Sequence, residues 1–274
     1  MPGGLLNLIT SKDNNIILNG NPQKTFFKNV YLKYTNFGLQ KFRIDYKGLR
    51  SLRMNEPSYF NFKIPRHGDL LMDTYFVIKL PDIYSCIASE REHDYGDDKF
   101  YEFKWIENIG SEIIQEVEVH AGGHTLQKFS GTAINLLASR DYSYNKKKTF
   151  DEMTGNIKEL NDPKNFAGNN GLYPNARYVD TSPSGPSEPS IKGRTLYVPL
   201  PFWFCQNSQQ ALPLIALQYT EVTITLKLRP IKDLFTIKNP DYTVGNGEYI
   251  KPNFNIDTHQ FYRFIKPPTE NSEY

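Results

Sequence analysis

At 274 residues, 39% of them hydrophobic and 14% aromatic, with 32 basic against 30 acidic side chains, the sequence has material for one large core or two small ones. That composition excludes a chain disordered throughout, and a net charge of +2 argues against a dedicated nucleic-acid binder, which needs a concentrated basic face. No apolar run approaches the roughly 18 to 20 residues that cross a bilayer, and Met1-Pro2-Gly3-Gly4-Leu5-Leu6 is too short an opening for a signal sequence, so the expectation is a soluble protein made in the cytosol.

The first patterned segment runs from Thr25 to Phe37. Phe26, Phe27, Val30, Tyr31, Tyr34 and Phe37 fall mostly one, three or four residues apart, with Lys28 and Lys33 between them, which predicts a short amphipathic helix. Its aromatic side either seeks a partner surface or closes the base of its own domain, and the sequence leaves both readings open. Strand signals follow. Phe42, Ile44 and Tyr46 alternate with charged residues over Lys41 to Lys47, and Phe60, Phe62 and Ile64 repeat the pattern over Ser58 to Ile64. Pro65-Arg66-His67-Gly68-Asp69 predicts a turn. Asp73 to Leu80 then places Phe76, Ile78 and Leu80 on one face.

Val117 and Val119 alternate with Glu116, Glu118 and His120, and Ala121-Gly122-Gly123-His124 predicts a hairpin turn into Thr125 to Phe129. Gly131 to Asp141, with Ile134, Leu137 and Ala138, predicts the one further short helix, while Lys146-Lys147-Lys148 reads as a solvated loop. Asn161 to Ser190 is polar and rich in Pro, Ser and Gly towards its end, which predicts a long exposed loop. Leu196, Val198 and Leu200 form a short strand. Val222, Ile224, Leu226 and Leu228 alternate strictly through Glu221 to Arg229, and a second loop runs from Asn239 to Asn255. Seven or eight strands with few helices favour a β-sandwich over a parallel α/β sheet.

Catalytic patterns are missing from the sequence. His120 and His124 straddle the Gly-Gly turn, His67, His93 and His259 are isolated, and no His-x-His pair or His-Glu-x-x-His helix occurs. Neither a Gly-x-Ser-x-Gly elbow nor a phosphate-binding glycine pattern is present, and Asp97-Asp98 and Asp151-Glu152 lie in polar stretches where solvated surface explains them. The reading is of a protein that is not an enzyme and needs no cofactor or metal. Cys86 and Cys205 are too few for a disulfide framework, and Cys205 beside Phe202-Trp203-Phe204 reads as a buried thiol. A lectin-like role through loop aromatics such as Tyr173 and Tyr178 is the rival binding hypothesis.

Two segments go beyond general pattern. Gly20 to Phe37, and Pro199-Leu200-Pro201-Phe202-Trp203-Phe204 continuing through Ala211 to Val222, resemble the major capsid proteins of nucleocytoplasmic large DNA viruses. Arg66-His67-Gly68-Asp69-Leu70 and Gly3-Gly4-Leu5 fit the same pattern, and Lys227 to Pro268 with Gln260-Phe261-Tyr262-Arg263-Phe264 looks most like the mimivirus-type branch.

The resemblance implies an all-β, eight-stranded antiparallel jelly-roll sandwich, the first barrel of a double jelly roll, with a short N-terminal helix and long loops. It divides the chain into an arm at 1–37 and a jelly-roll domain at 38–274, with loops near 161–190 and 239–255 and the second barrel absent. It further implies homotrimeric pseudo-hexagonal capsomers in an icosahedral virion, assembled in the host cytoplasm. The partners would be neighbouring capsomers and minor capsid proteins, with no direct nucleic-acid contact, no transmembrane segment and an inner viral membrane nearby at most. Phe26, Phe27, Val30, Tyr31, Tyr34 and Phe37 would then supply assembly contacts. A minor capsid protein or a lectin-like jelly roll is the alternative. Because family members continue past the position of Tyr274, a fragment, an expressed amino-terminal half and a short paralogue all stay open, with a fragment favoured.

Overall fold

Apolar residues two apart build most of this structure, a computed structural model that describes residues 36–49, 51–85, 102–166, 168–174, 176–178, 187–238 and 248–267. The chain divides into two compact units, Met1–Phe42 and Arg43–Tyr274. The longer strands are β1 (Ser58–Lys63), β2 (Tyr75–Lys79), β3 (Phe103–Trp105), β4 (Ile114–Ala121), β5 (His124–Phe129), β6 (Thr195–Pro199), β7 (Val222–Leu228) and β8 (Phe235–Lys238). Between them lie helices α1 (Ile109–Glu112), α2 (Gly131–Asp141), α3 (Tyr144–Thr154), α4 (Lys158–Asn161) and α5 (Trp203–Gln206).

Strands β1, β7, β4 and β5 form, in that order, a four-stranded sheet. β2 pairs with β6, and β8 lies between β3 and the two-residue strand Tyr249–Ile250. Shorter ladders join Leu70–Leu71 to Leu212–Pro213 and Arg177–Tyr178 to Ser187–Glu188. All these ladders are antiparallel, so no pairing requires the crossover of a parallel strand–helix–strand unit. Pro81, which has no N–H to give, interrupts the β2–β6 ladder, and pairing resumes beyond it at the Ile83–Ile191 bridge. Such breaks divide the described residues into several small sheets beside the larger one.

The predicted alternation at Ser58 to Ile64, Asp73 to Leu80, Glu116 to His120, Leu196 to Leu200 and Glu221 to Arg229 is realised, and the predicted hairpin carries the chain on into Thr125 to Phe129. In β7, Val222, Ile224, Leu226 and Leu228 are buried while Thr223, Thr225 and Lys227 are half-exposed. Each such burial is worth roughly 1.5–3 kcal/mol relative to exposure. The Gly-Gly turn closes the β4–β5 hairpin with both glycines left-handed, at φ 59° and 84°, the conformation a two-residue hairpin demands. The core is a single cluster. At one end Phe103 stacks on Phe235 at 4.8 Å between centroids, with Phe261 and Phe264 tilted against them.

Several expectations are corrected. Lys41 to Lys47 forms no strand: its residues alternate, but no backbone among the described residues pairs with them in a ladder, and Ile44 is exposed. Tyr46 of that run is inserted, edge-on to Phe60 and Phe62. Lys146-Lys147-Lys148 is not a loop but part of α3, whose charges are absorbed locally: Lys146 lies over the Tyr142 ring and Lys147 pairs with Asp151 one turn on. The polar stretch from Asn161 is not wholly exposed, because it contains the end of α4 and a 3-10 turn at Pro163–Asn165, with Pro163 buried. The second loop likewise holds Tyr249–Ile250, and Pro252 is buried. The helix expected at Gly131–Asp141 is present as α2, capped by Ser130 accepting from the Ala133 N–H.

The three helices α1, α2 and α3 meet where two glycines allow backbones to touch. A Cβ at Gly131 would overlap the Ser111 carbonyl, and one at Gly110 would overlap the Thr154 carbonyl. The structure therefore requires glycine at both positions.

Candidate assembly surfaces

Two sheet faces point away from the core, and their chemistry differs. On the four-stranded sheet the outward residues form cross-strand rows: Asn61, Thr225, Glu118 and Lys128 in one, Tyr59, Lys227 and Glu116 in another. The Lys128 ammonium sits 2.7 Å from both Glu116 and Glu118. His120 pairs with Glu118 at 3.1 Å through Nε2 and with the Thr125 hydroxyl at 3.0 Å through Nδ1. The hydrogen bond from Lys128 lowers the Glu118 pKa against the cost of partial burial, with His120 adding to the effect. At one end of this sheet Lys63 pairs with Glu221, and Arg66 donates to the carbonyls of Gln218 and Thr220. A groove of about 270 Å³ runs there between Lys63, Arg66, Leu214 and Leu217. Nearly every charge on this face is already answered within the chain.

The β2–β6 pair is the opposite case. Its inward residues, Phe76, Ile78, Leu196 and Val198, pack into the core. Its outward residues are Tyr75, Val77 and Tyr197, which are 47%, 51% and 48% exposed, with Val77 directly opposite Tyr197 in the register. Only Lys79 and Thr195, also opposed, supply polarity at the far end. Burial raises the Tyr75 pKa, helped by Asp73 and Cys205. A solvated sheet face carries polar residues outward, so a row of this kind is a surface suited to being covered.

Of the six residues expected to make assembly contacts, Phe26, Phe27, Val30, Tyr31 and Tyr34 lie outside the described residues. Phe37 is described and is 80% exposed. The sequence reading passes over the β2–β6 outer face as an ordinary strand, although Tyr-Phe-Val-Ile at 75 to 78 has no polar residue where an outward polar one belongs, and that gap is the signal that marks it.

Other predicted functional groups take structural places. Tyr173, a candidate sugar platform, is pinned instead: its hydroxyl donates to the Phe103 carbonyl at 2.8 Å, accepts the Phe103 N–H at 3.2 Å and meets the Ser85 hydroxyl at 3.0 Å. Burial pushes its pKa far up. Cys205 is half-buried in α5, its thiol donating to the Met72 carbonyl at 3.1 Å, and burial raises its pKa. No group of three or more metal-ligating side chains occurs among the described residues, and His93 lies outside them. No helix among the described residues is long and apolar enough to cross a membrane.

A family model described as the major capsid protein N-terminus matches residues 25–262. The major capsid protein of Phaeocystis pouchetii virus is 33% identical over 236 residues, covering 85% of this chain and 42% of that protein. Capsid protein 1 of Acanthamoeba polyphaga mimivirus is 33% identical over 229 residues, covering 84% of this chain and 35% of that protein. Among solved structures, the quasi-atomic model of the PBCV-1 virus capsid aligns with 74% of this chain and 38% of its own at 24% identity and a TM-score of 0.48. The chain thus spans less than half the length of the curated relatives it matches.

Proposed function

This chain belongs to the family of the major capsid protein N-terminus, and on that premise we propose that it is a structural unit of a viral capsid rather than an enzyme. The observation that carries the reading is the extent of the family match, residues 25–262, which takes in every strand described above. In this reading the domain at 38–274 is an eight-stranded jelly-roll sandwich, the first barrel of a double jelly roll. Copies associate as trimers of pseudo-hexagonal outline that tile a shell, in contact with neighbouring capsomers and minor capsid proteins. The virion is its final location and the host cytoplasm its place of assembly.

Shell building requires a rigid body and faces that repeat by symmetry, and it requires no reactive centre. A core packed at near-crystalline density supplies the rigidity. The Tyr75, Val77 and Tyr197 face is the surface suited to contact between copies, because covering it removes apolar area from water without stranding a charge. The arm at 1–37, with Phe26, Phe27, Val30, Tyr31, Tyr34 and Phe37, adds contacts beneath the barrel in the same reading.

Negative-stain electron microscopy of the purified protein tests the reading, with symmetric trimers, sheets or particles as the expected outcome. A monodisperse, folded monomer at high concentration contradicts it. Removing residues 1–37 should weaken assembly, and a deletion that assembles as the intact chain does contradicts the role given to the arm.

A further inference from the structure

A buried carboxylate sits where two segments distant in sequence come together. Glu102, immediately before β3, is 5% exposed. Its Oε2 accepts from the Lys164 ammonium at 2.7 Å and from the Tyr249 hydroxyl at 2.6 Å, while its Oε1 accepts from the Lys238 ammonium at 3.1 Å. Lys164 belongs to the turn Pro163–Asn165, and Tyr249 opens the short strand that pairs with β8. Lys238 ends β8 and also donates its backbone N–H to the Glu102 carbonyl at 2.9 Å, so β8 holds Glu102 by main chain and side chain together.

We propose that Glu102 is an electrostatic staple that joins the segments 158–174 and 249–254 into one conformational unit, so that loosening either segment loosens the other. The device lies within this chain and holds independently of the capsid reading. Its physical basis is that a buried charge tolerates only a complete set of partners. Withdraw Tyr249 and the carboxylate loses a hydrogen-bond donor in a site that water reaches poorly. Withdraw Lys164 and it loses half its compensating charge. In either case the remaining partner is held less firmly, and the segment that carries it opens more often.

The surrounding groups reinforce the arrangement. Lys104 lies over the Tyr249 ring at 3.9 Å from its centroid, and Lys164 is 5.9 Å from the same ring. Tyr173 holds the far part of the first segment to Phe103, next to Glu102 in the chain, and its hydroxyl feels the Glu102 charge. Asp162 acts on Tyr249 from the same segment as Lys164. Among the described residues, the titratable groups around Glu102 and its partners are therefore Lys164, Lys238, Tyr249, Tyr173, Lys104 and Asp162. Burial alone would raise the Glu102 pKa, but the hydrogen bonds from Lys164, Tyr249 and Lys238 and the Lys164 charge outweigh it and hold the group below its usual range. A depressed carboxylate contributes stability that is present above its unfolded value and lost only as pH falls through the folded one. The staple thus stays closed in mildly acidic solution.

Hydrogen exchange read by mass spectrometry tests the proposal. Tyr249→Phe should speed exchange several-fold at 160–174 as well as around residue 249, and Lys164→Met should do so at 249–254 as well as around residue 164. In a Glu102→Gln background each effect should become confined to its own segment. The proposal is overturned if either single variant acts only on its own segment in the wild-type background, or if the cross-effect persists without the Glu102 carboxylate. Should Glu102→Gln not fold, the two single variants decide the question alone. Corrected for intrinsic exchange rates, protection of the two segments should fall with a common midpoint on acidification; two separate midpoints contradict the coupling.

Discussion

Outward from the four-stranded sheet point Asn61, Thr225, Glu118 and Lys128 in one row, whereas outward from β2 and β6 point Tyr75, Val77 and Tyr197. Both faces back onto the same core and obey the same alternation. The inward residues are fixed by the shared core, so they say little about function. What differs is the outward set, which answers to whatever lies beyond it: water and neighbouring charges in the first case, and in our reading another copy of the chain in the second. In that reading, the informative residues are those that break the polar-outward rule.

The comparison can be broken first at the part both faces share. Leu226→Ala removes a buried side chain from the centre of β7 and should cost about 2–5 kcal/mol in chemical denaturation, taking both faces down together. A loss confined to one sheet would show that the two faces do not rest on a common core. The next largest effect concerns the apolar face alone. Tyr197→Lys should abolish association in light scattering while moving the unfolding free energy by no more than about 0.5 kcal/mol, as for ordinary surface positions. If association survives, that face is not the contact.

The smallest effect belongs to the polar face. Lys128→Ala should leave the oligomeric mass unchanged and let the Glu118 pKa rise towards its ordinary value, which a carboxyl titration by NMR would read. The sign follows from the depressed pKa: the stability Glu118 contributes is present above the unfolded carboxylate range and is lost as pH falls through the folded value, and the variant should weaken that dependence, with the His120 contribution remaining. A Glu118 titration that does not move would mean that Lys128 is not what holds it.

Strong alternation is legible because a period of two, sustained over five or more residues, sorts side chains onto a wet face and a dry one as only an extended chain does: β1, β2, β4 with its hairpin, β6 and β7 all show it. Strand β3, at three residues, and β8, at four, are too short to show a period, although both carry the aromatic end of the core through Phe103 and Phe235. Lys41 to Lys47 shows the converse error, since alternation makes a face but only a pairing backbone makes a strand. Helix α3 is hidden because it buries only Phe150 and Thr154, leaving a lysine run to dominate its appearance. Glu102 carries no sequence signal at all. Its partners stand at 164, 238 and 249, and only the fold brings them to one carboxylate.

The most direct measurement is side-chain footprinting of tyrosines in free and assembled protein. Tyr59, 61% exposed on the outer face of the four-stranded sheet, is the internal reference for Tyr75 and Tyr197. The account predicts that assembly protects Tyr75 and Tyr197 while Tyr59 stays reactive. Protection of Tyr59 with Tyr75 and Tyr197 unchanged would contradict it.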